Sequence, residues 1–312
     1  MSENIGIILG EPNSINYEIF FKSITFLHKS KKKFIVVGSY KFFKKKYKIN
    51  TLQIKLLNKK NFNKNKLEKI NFFDVNFGIK ANSNIHIIDS FQIIFELLKK
   101  KVIKKFINLA IDKSKFSNYK YSGVTEYLGN KFNKNKVNML IYNERFSVLP
   151  ISTHVPIAQI NKFIRFKKLL YACKNASFFY NKILKKRVKI GILGLNPHNG
   201  DNGVIGVEEK KFINIWIAKL RKKYDVYGPI SPDTSFIYQK KNNIDVLIGW
   251  YHDQVITTFK TIFGFKAINI TLGLPFLRVS PDHGIGRDII NKNLADRTSF
   301  IKSLKFLFKY SV

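Results

Sequence analysis

The chain lacks the features that would indicate a disulfide-linked or membrane-spanning protein. Cys173 is the only cysteine among the 312 residues, so no disulfide can form within them. No apolar run reaches the roughly 18–20 residues that a membrane-spanning helix requires. No basic segment or cleavage site precedes the apolar run that begins at Ile5. We therefore expect no signal peptide and no membrane association, and we predict a cytoplasmic protein.

Acidic residues are also scarce, since 20 Asp and Glu stand against 56 Lys and Arg, a formal net charge of +36. Such a charge has two interpretations, a nucleic-acid-binding surface or a drift in composition towards residues with A/T-rich codons. Lys, Asn, Ile, Phe and Tyr are abundant, Gly and Pro are few, and the lysines are spread along the chain. Because no recognition motif accompanies the charge, we favour drift and predict no nucleic-acid partner. A basic surface still attracts anionic substrates.

Short apolar runs alternate with amphipathic stretches, which predicts an α/β fold with a largely parallel sheet. The predicted strands are Ile5–Leu9, Lys33–Val37, Ile85–Ile88, Phe106–Ala110, Val137–Tyr142, Val188–Leu193, Asp245–Gly249 and Ala267–Ile270. The predicted helices are Glu18–Ser30, Ser90–Lys101, Ile157–Cys173, Glu208–Lys223 and Ser299–Phe308. Polar loops after buried strands are where such folds build their sites.

Three histidines at strand ends or beside proline, His154, His198 and His252, suggest a catalytic metal site. Neutral imidazoles are common metal ligands, and three of them leave coordination positions open for substrate. The sequence contains no HExxH pair, so the ligands would converge from distant segments. Each histidine taken singly is equally well explained as a hydrogen-bonded loop residue.

Charged residues of the second half supply further candidates. Asp233, in a Gly-Pro-Ile-Ser-Pro-Asp-Thr segment, is either a turn residue or a carboxylate beside the metal. Lys260, Asn269 and Arg278 follow at nine-residue intervals, and lysine and arginine can clamp a phosphate or carboxylate. No G-x-G-x-x-G fingerprint follows the first strand, and no P-loop is present. The residues alone indicate a metal-dependent α/β enzyme that acts on a small anion.

Five segments in this order resemble the 4-hydroxythreonine-4-phosphate dehydrogenase family of pyridoxal phosphate biosynthesis. The segments are THVPI, GLNPHNGDNG, GPISPDT, YHDQ and NITLGLPFLRVSPDHG. The resemblance implies NAD- or NADP-dependent oxidation and decarboxylation of 4-phosphohydroxy-L-threonine to 3-amino-2-oxopropyl phosphate. It implies one divalent metal ion (Zn, Mg, Co or Mn). Carried over residue by residue, it assigns the metal to His154, His198 and His252, the substrate to Thr125, Lys260, Asn269 and Arg278, and a catalytic role to Asp233.

The same resemblance implies a fold similar to isocitrate and isopropylmalate dehydrogenases, in which two α/β domains flank a cleft. We assign residues 1–125 and 262–312 to one domain with the cofactor loop, and 126–261 to a central domain with the metal histidines and the dimer contact. His283, Gly284 and Asp288 match the family's adenosine-binding loop, which accounts for the missing Rossmann fingerprint. A homodimer with a shared active site is implied as well.

Two departures from the family pattern concern the substrate site. Val124 stands where the family has a substrate-contacting histidine, and the segment from Gly10 to Glu18 lacks two of the family's glycines. Two alternatives therefore remain open. One is a dehydrogenase of a related four-carbon phosphorylated acid, a phosphothreonate or phosphoerythronate. The other is a worn, non-catalytic family member.

Overall fold

The computed structural model describes residues 4–48, 54–58, 66–77, 83–112, 121, 123–133 and 136–311. The chain forms two compact units. The first contains Met1–Ser122 and Phe276–Val312, and the second contains Gly123–Pro275. Within the described ranges, no helix has the length and apolarity needed to cross a membrane.

In its described residues, the first unit has six strands, and their pairings with one another are parallel. Their spatial order is β3-β4-β2-β1-β5-β12. The strands are β1 (Asn4–Ile8), β2 (Phe34–Gly38), β3 (Lys55–Leu57), β4 (Ile70–Asp74), β5 (Ile103–Asn108) and β12 (Leu277–Pro281). The helices of this unit are α1 (Asn16–Lys29), α2 (Tyr40–Lys46), α3 (Ser83–Lys99) and α9 (Thr298–Lys309).

The described part of the second unit has six strands, in the order β11-β6-β7-β10-β8-β9. They are β6 (Asn138–Tyr142), β7 (Ser147–Pro150), β8 (Ile190–Leu193), β9 (Val226–Ile230), β10 (Val246–Gly249) and β11 (Ile268–Leu272). The helices are α4 (Val124–Asn133), α5 (Phe166–Phe178), α6 (Asn214–Arg221), α7 (Ser235–Asn242) and α8 (His252–Phe263). Short 3-10 turns lie at Ile157–Phe163 and Pro197–Gly203, and π turns lie at Phe179–Leu184 and Glu209–Ile213. Strand β6 pairs antiparallel with both β11 and β7, whereas β7, β10, β8 and β9 are parallel.

Burial explains why these short apolar runs become strands. Every residue of β7, β8 and β10 is buried, as parallel strands covered by helices on both faces require. Helix α8 packs an aromatic cluster against this sheet, in which Phe146 lies edge-on to Phe259 with ring centroids 5.4 Å apart. The second unit therefore has its own apolar core.

The parallel strands of the second unit determine where polar side chains gather. The carboxyl ends of adjacent parallel strands lie at one edge of a sheet. Strand β7 is followed by His154, β8 by His198, β9 by Asp233 and β10 by His252. The topology thus brings four segments that carry predicted site residues to the same edge of one unit.

The predicted α/β class is confirmed, but several predicted elements are wrong. Ile85–Ile88 is the beginning of α3 and not a strand. Its apolar residues continue at helical spacing through Phe91, Ile94 and Leu97, all of them buried. The predicted helix Ile157–Cys173 is interrupted, because Arg165 is extended between a 3-10 turn and α5.

The compact units divide the chain after Ser122 and after Pro275, whereas the predicted domain boundaries followed residues 125 and 261. The second boundary lies further along because β11 pairs with β6 over five residues and so belongs to the second unit. Lys260 and Asn269 therefore share a unit with the three histidines. Arg278 belongs to the first unit.

Candidate functional site

His154 lies just after β7 and faces the carboxylate of Glu126. The Thr153 hydroxyl donates a hydrogen bond of 2.5 Å to Glu126 Oε1, and His154 Nδ1 lies 3.8 Å from the same oxygen. Burial by itself raises the pKa of Glu126, but the nearby His154 imidazole and the hydrogen bond from Thr153 outweigh it and lower the pKa to about 2. Glu126 is therefore a carboxylate at neutral pH and holds one side of the His154 ring.

His252 is the first residue of α8 and lies beside His154. The centroids of the two rings are 5.8 Å apart. His252 Nδ1 lies 2.9 Å from Asp253 Oδ1, which is hydrogen-bonding distance. A cavity of about 230 Å³ lies at the two rings. Its other lining residues are Thr153, Val155, Ile157, Ile160, Tyr251 and Asp253.

His198 lies in a left-handed turn between β8 and the next helical segment. His198, Asn199, Gly200, Asp201 and Asn202 all have φ between 42° and 79°. Left-handed backbone costs about 1–2 kcal/mol for each non-glycine residue, although Asn and Asp tolerate it better than most. Such a turn persists only where surrounding contacts impose it.

The His198 ring faces Asp233, which follows β9. His198 Nδ1 lies 3.7 Å from Asp233 Oδ2, and both side chains are more than half exposed. The Ser231 hydroxyl donates a 2.6 Å hydrogen bond to Asp233 Oδ1 and is the main cause of the lowered pKa of that carboxyl, to which His198 adds. Asp233 is therefore ionised at neutral pH and available to the imidazole.

The chemistry of these donors fits a divalent metal. Each of the three histidines directs Nδ1 towards a carboxylate, within 3.8 Å in every case. A carboxylate on Nδ1 fixes the imidazole tautomer and leaves Nε2 as the metal-binding nitrogen. Within the described residues, however, no three His, Cys, Asp or Glu side chains come close enough to hold one ion. The structure therefore brings His154 to His252, and brings His198 to Asp233.

The predicted substrate residues of the second unit lie on α4, α8 and β11. Thr125 is buried in the first turn of α4, and its hydroxyl lies 3.5 Å from that of Thr271 in β11. Asn269 is two residues from Thr271 and so projects from the same face of β11. Lys260 lies just over two helical turns after His252, with Nζ 5.8 Å from the Phe265 ring centroid.

The remaining predicted residues belong to the first unit. Arg278 is buried in β12, where its Nε donates a 2.6 Å hydrogen bond to Asn108 Oδ1 in the neighbouring strand β5. His283 Nδ1 lies 2.9 Å from the Gly284 carbonyl oxygen, and Asp288 lies in a short 3-10 turn.

The loop that carries these last residues is tied to two other parts of the first unit. The Ile15 N–H donates to the Ile285 carbonyl at 3.1 Å, and Arg287 pairs with Asp112 at 2.5 Å. The predicted cofactor loop is therefore held to Ile15, directly before α1, and to Asp112, four residues after β5.

Sequence reasoning missed the residues that hold the histidine segments in place. The Gln254 side chain accepts from the Trp250 N–H and donates to the Gly194 carbonyl, both at 2.8 Å. It thereby links the end of β10 to the end of β8. Glu209 accepts backbone hydrogen bonds at the start of the His198 segment. In the sequence, Gln254 is marked only by its place in the YHDQ motif. Nothing distinguishes Glu209 from other residues at the start of the predicted helix Glu208–Lys223.

Comparisons with known proteins agree on one family. The family model described as "Pyridoxal phosphate biosynthetic protein PdxA" matches residues 30–307. A 4-hydroxythreonine-4-phosphate dehydrogenase from Sulfurihydrogenibium sp. (strain YO3AOP1) is 34% identical over 96% of this chain and 96% of its own length. A D-threonate 4-phosphate dehydrogenase from Pectobacterium atrosepticum is 32% identical over 54% of this chain and 52% of its own length.

Solved structures share the fold. The crystal structure of 4-hydroxythreonine-4-phosphate dehydrogenase from Klebsiella pneumoniae superposes with a TM-score of 0.79 at 24% identity, covering 98% of this chain and 97% of that one. An isocitrate dehydrogenase from Methylococcus capsulatus reaches a TM-score of 0.50 at 10% identity, over 98% and 85% of the two chains. The predicted similarity to the isocitrate dehydrogenase fold is thus confirmed.

The link between β8 and β10 through Gln254 gives a testable prediction. Gln254→Leu leaves the Trp250 N–H and the Gly194 carbonyl without their partner, so we expect the free energy of unfolding to fall by about 1–3 kcal/mol. Urea unfolding followed by tryptophan fluorescence measures this in the second unit, because both tryptophans, Trp216 and Trp250, belong to it. Gln159→Leu, at an exposed glutamine of the same unit, is the control and should change the value by less than about 0.5 kcal/mol. Equal effects of the two substitutions would contradict the prediction.

Proposed function

The chain belongs to the PdxA family of pyridoxal phosphate biosynthetic proteins, and on that premise we propose that it oxidises and decarboxylates 4-phosphohydroxy-L-threonine to 3-amino-2-oxopropyl phosphate. It is an oxidoreductase of the dehydrogenase type, as its relatives are. One observation carries the more specific proposal. Three imidazoles, each with Nδ1 towards a carboxylate, follow three adjacent parallel strands at one edge of a sheet.

We assign the divalent metal, which we take to be Zn, Mg, Co or Mn, to His154, His198 and His252. When bound, such an ion supplies a Lewis acid next to the reacting alcohol. The chain itself orients the three rings, through Glu126, Asp233 and Asp253. For Asp233 we propose a catalytic role as a proton acceptor, which its lowered pKa supports because the group is a carboxylate at neutral pH.

The anionic ends of the substrate are assigned to Thr125, Lys260, Asn269 and Arg278. Lysine and arginine neutralise phosphate and carboxylate charge, and the hydroxyl and amide groups add direction. Holding both ends of the substrate converts binding free energy into orientation of the carbon that is oxidised. The net charge of +36 favours the approach of such an anion.

The loop with His283, Gly284 and Asp288 is assigned to NAD or NADP. When bound, that cofactor would supply the hydride acceptor for the oxidation. The contacts to Ile15 and Asp112 support this assignment, because a loop that is held at two points can keep a bound ligand in one position. A location in the cytoplasm, without a nucleic-acid partner, belongs to the same proposal.

We further propose that the chain acts as a homodimer with a shared active site. The pairing of His154 with His252, and of His198 with Asp233, supports this arrangement. Each pair presents part of a ligand set, which a second copy of the chain related by twofold symmetry would complete.

A second candidate substrate is D-threonate 4-phosphate, a four-carbon phosphorylated acid. The relative from Pectobacterium atrosepticum favours it, because that protein is named as a dehydrogenase of this compound. The two substrates share the phosphate and the secondary alcohol, so the metal and phosphate residues serve both. Val124, which stands where the family has a histidine, is the departure most relevant to this choice.

The activity test compares both substrates with NAD, NADP and each divalent metal, and follows reduced cofactor by absorbance. We expect turnover of 4-phosphohydroxy-L-threonine, and at least about a hundredfold loss in His198→Ala, since even second-shell partners of a metal are worth 10- to 100-fold. His28→Gln, at a histidine of α1 in the first unit, is the control and should retain full activity. Equal rates in wild type and His198→Ala would refute the metal assignment, and turnover of D-threonate 4-phosphate alone would favour the second substrate.

The shared site is tested by mixing two inactive variants, His198→Ala and His252→Ala. If these two histidines reach one site from different subunits, a mixed dimer contains one intact site and one site that lacks both ligands. Random reassociation of equal amounts should then restore about a quarter of the wild-type activity, by the statistics of a twofold dimer. Mixing either variant with itself is the control, and no recovery in the mixture would show that one chain supplies both residues.

The substitution at position 124 gives a further prediction. Val124→His restores a hydrogen-bond donor beside Thr125, so we expect the KM for the phosphorylated substrate to fall about tenfold, the size of one charge-assisted contact. Val124→Leu keeps an apolar side chain and is the control, with an unchanged KM. An unchanged KM in Val124→His would mean that this position does not contact the substrate.

A further inference from the structure

Glu209 is a buried carboxylate that none of the ligand, substrate or cofactor assignments uses. Its exposed fraction is 3%, and it begins the π turn Glu209–Ile213. A buried carboxylate is stable only where donors surround it. The groups that donate hydrogen bonds to Glu209 therefore show which part of the chain this carboxylate holds in place.

Among the described residues, the hydrogen-bond donors to Glu209 are the two residues that lead into the His198 turn, Leu195 and Asn196. Oε1 accepts from the Leu195 N–H at 2.7 Å and from the Asn196 N–H at 2.8 Å. Oε2 accepts from Asn196 Nδ2 at 2.9 Å. One side chain thus fixes two consecutive peptide groups and one amide directly before Pro197.

The turn itself packs closely on the same carboxylate. A Cβ atom at Gly200 would lie 2.9 Å from Glu209 Oε2 and 2.3 Å from the Gly206 carbonyl oxygen, so only glycine fits there. Gly200 also has a φ of +79°, which other residues adopt with strain. Glu209 therefore touches the turn at both its start and its middle, on either side of His198.

From these contacts we propose that Glu209 is the positioning residue of the His198 segment. It holds the backbone of Leu195 and Asn196 so that the left-handed turn presents the His198 imidazole beside Asp233. The role rests on the proposed function where the metal is concerned, but the effect on the turn does not depend on it. Glu209 acts through the backbone and touches neither substrate nor cofactor.

The neighbouring acid provides a matched comparison. Glu208 also accepts from Asn196 Nδ2, at 2.8 Å, but it is only partly buried. The Leu195 N–H and the Asn196 N–H donate to Glu209 and not to Glu208. The two adjacent glutamates thus share the Asn196 amide as a partner, but only Glu209 accepts the backbone hydrogen bonds. A comparison of variants at the two positions therefore separates the loss of a negative charge from the loss of the proposed positioning contacts.

The experiment measures hydrogen–deuterium exchange and Co²⁺ binding in Glu209→Leu, Glu209→Gln and Glu208→Leu. In Glu209→Leu we expect the amides of Leu195 and Asn196 to exchange at least about tenfold faster in metal-free protein, because their hydrogen bonds are lost. Co²⁺ affinity should fall about 10- to 100-fold, as for other outer-shell partners of metal ligands. Glu209→Gln keeps an acceptor for both N–H groups but places an amide NH₂ opposite Asn196 Nδ2, so its values should lie between those of wild type and Glu209→Leu.

Glu208→Leu should leave exchange and affinity within about twofold of wild type, since it removes only one partly buried hydrogen bond, from the Asn196 side chain. Exchange of the β10 amides is the internal reference for intact folding. If the β10 amides of Glu209→Leu also lose their protection from exchange, that variant is not folded and Glu209→Gln provides the test. Wild-type exchange at Asn196 together with wild-type Co²⁺ affinity in Glu209→Gln would then overturn the proposal. Equal effects of Glu208→Leu and Glu209→Leu overturn it as well. Failure of wild type to bind Co²⁺ would refute the metal assignment, while the exchange rates would still decide the role of Glu209.

Discussion

The parallel pairing of β7, β10, β8 and β9 is the constraint on which the candidate site depends. Parallel strands place their carboxyl ends at one edge, so the loops after all four must leave the sheet side by side. Each loop carries one residue of the site, namely His154, His252, His198 and Asp233. An antiparallel partner among these strands would carry its loop to the opposite edge. The antiparallel strand β6 lies beside this set, and no predicted metal residue follows it.

A few of the scarce carboxylates lie beside the histidines of the candidate site. The chain has 20 acidic residues against 56 basic ones, yet each of the three histidines has a carboxylate near its Nδ1. Glu209 adds a fourth carboxylate that acts on the backbone of the His198 segment. Elsewhere the excess of lysine leaves a basic surface, which suits a phosphorylated substrate.

Much of the fold could be read from apolar runs, and the errors have physical causes. Buried strands such as β8 and β10 were predicted because every residue in them is apolar or glycine. Strand β9 escaped prediction because it contains Gly228 and Pro229, which an edge strand tolerates and a central strand does not. Ile85–Ile88 was mistaken for a strand because four apolar or aromatic residues fit either period, and only the contacts of α3 with the sheet decide between them.

The sequence by itself determined which residues can do the chemistry, because imidazole, carboxylate and guanidinium groups are properties of single residues. It also carried the ordered motifs that identify the family. Only the tertiary structure decided which carboxylate faces which histidine, since Glu126 in α4 and His154 after β7 lie 28 residues apart in the chain. It likewise revealed Glu209 and Gln254, whose function lies in hydrogen bonds to distant backbone groups. Such bonds depend on strand order, and strand order is set by long-range pairing that no local pattern encodes.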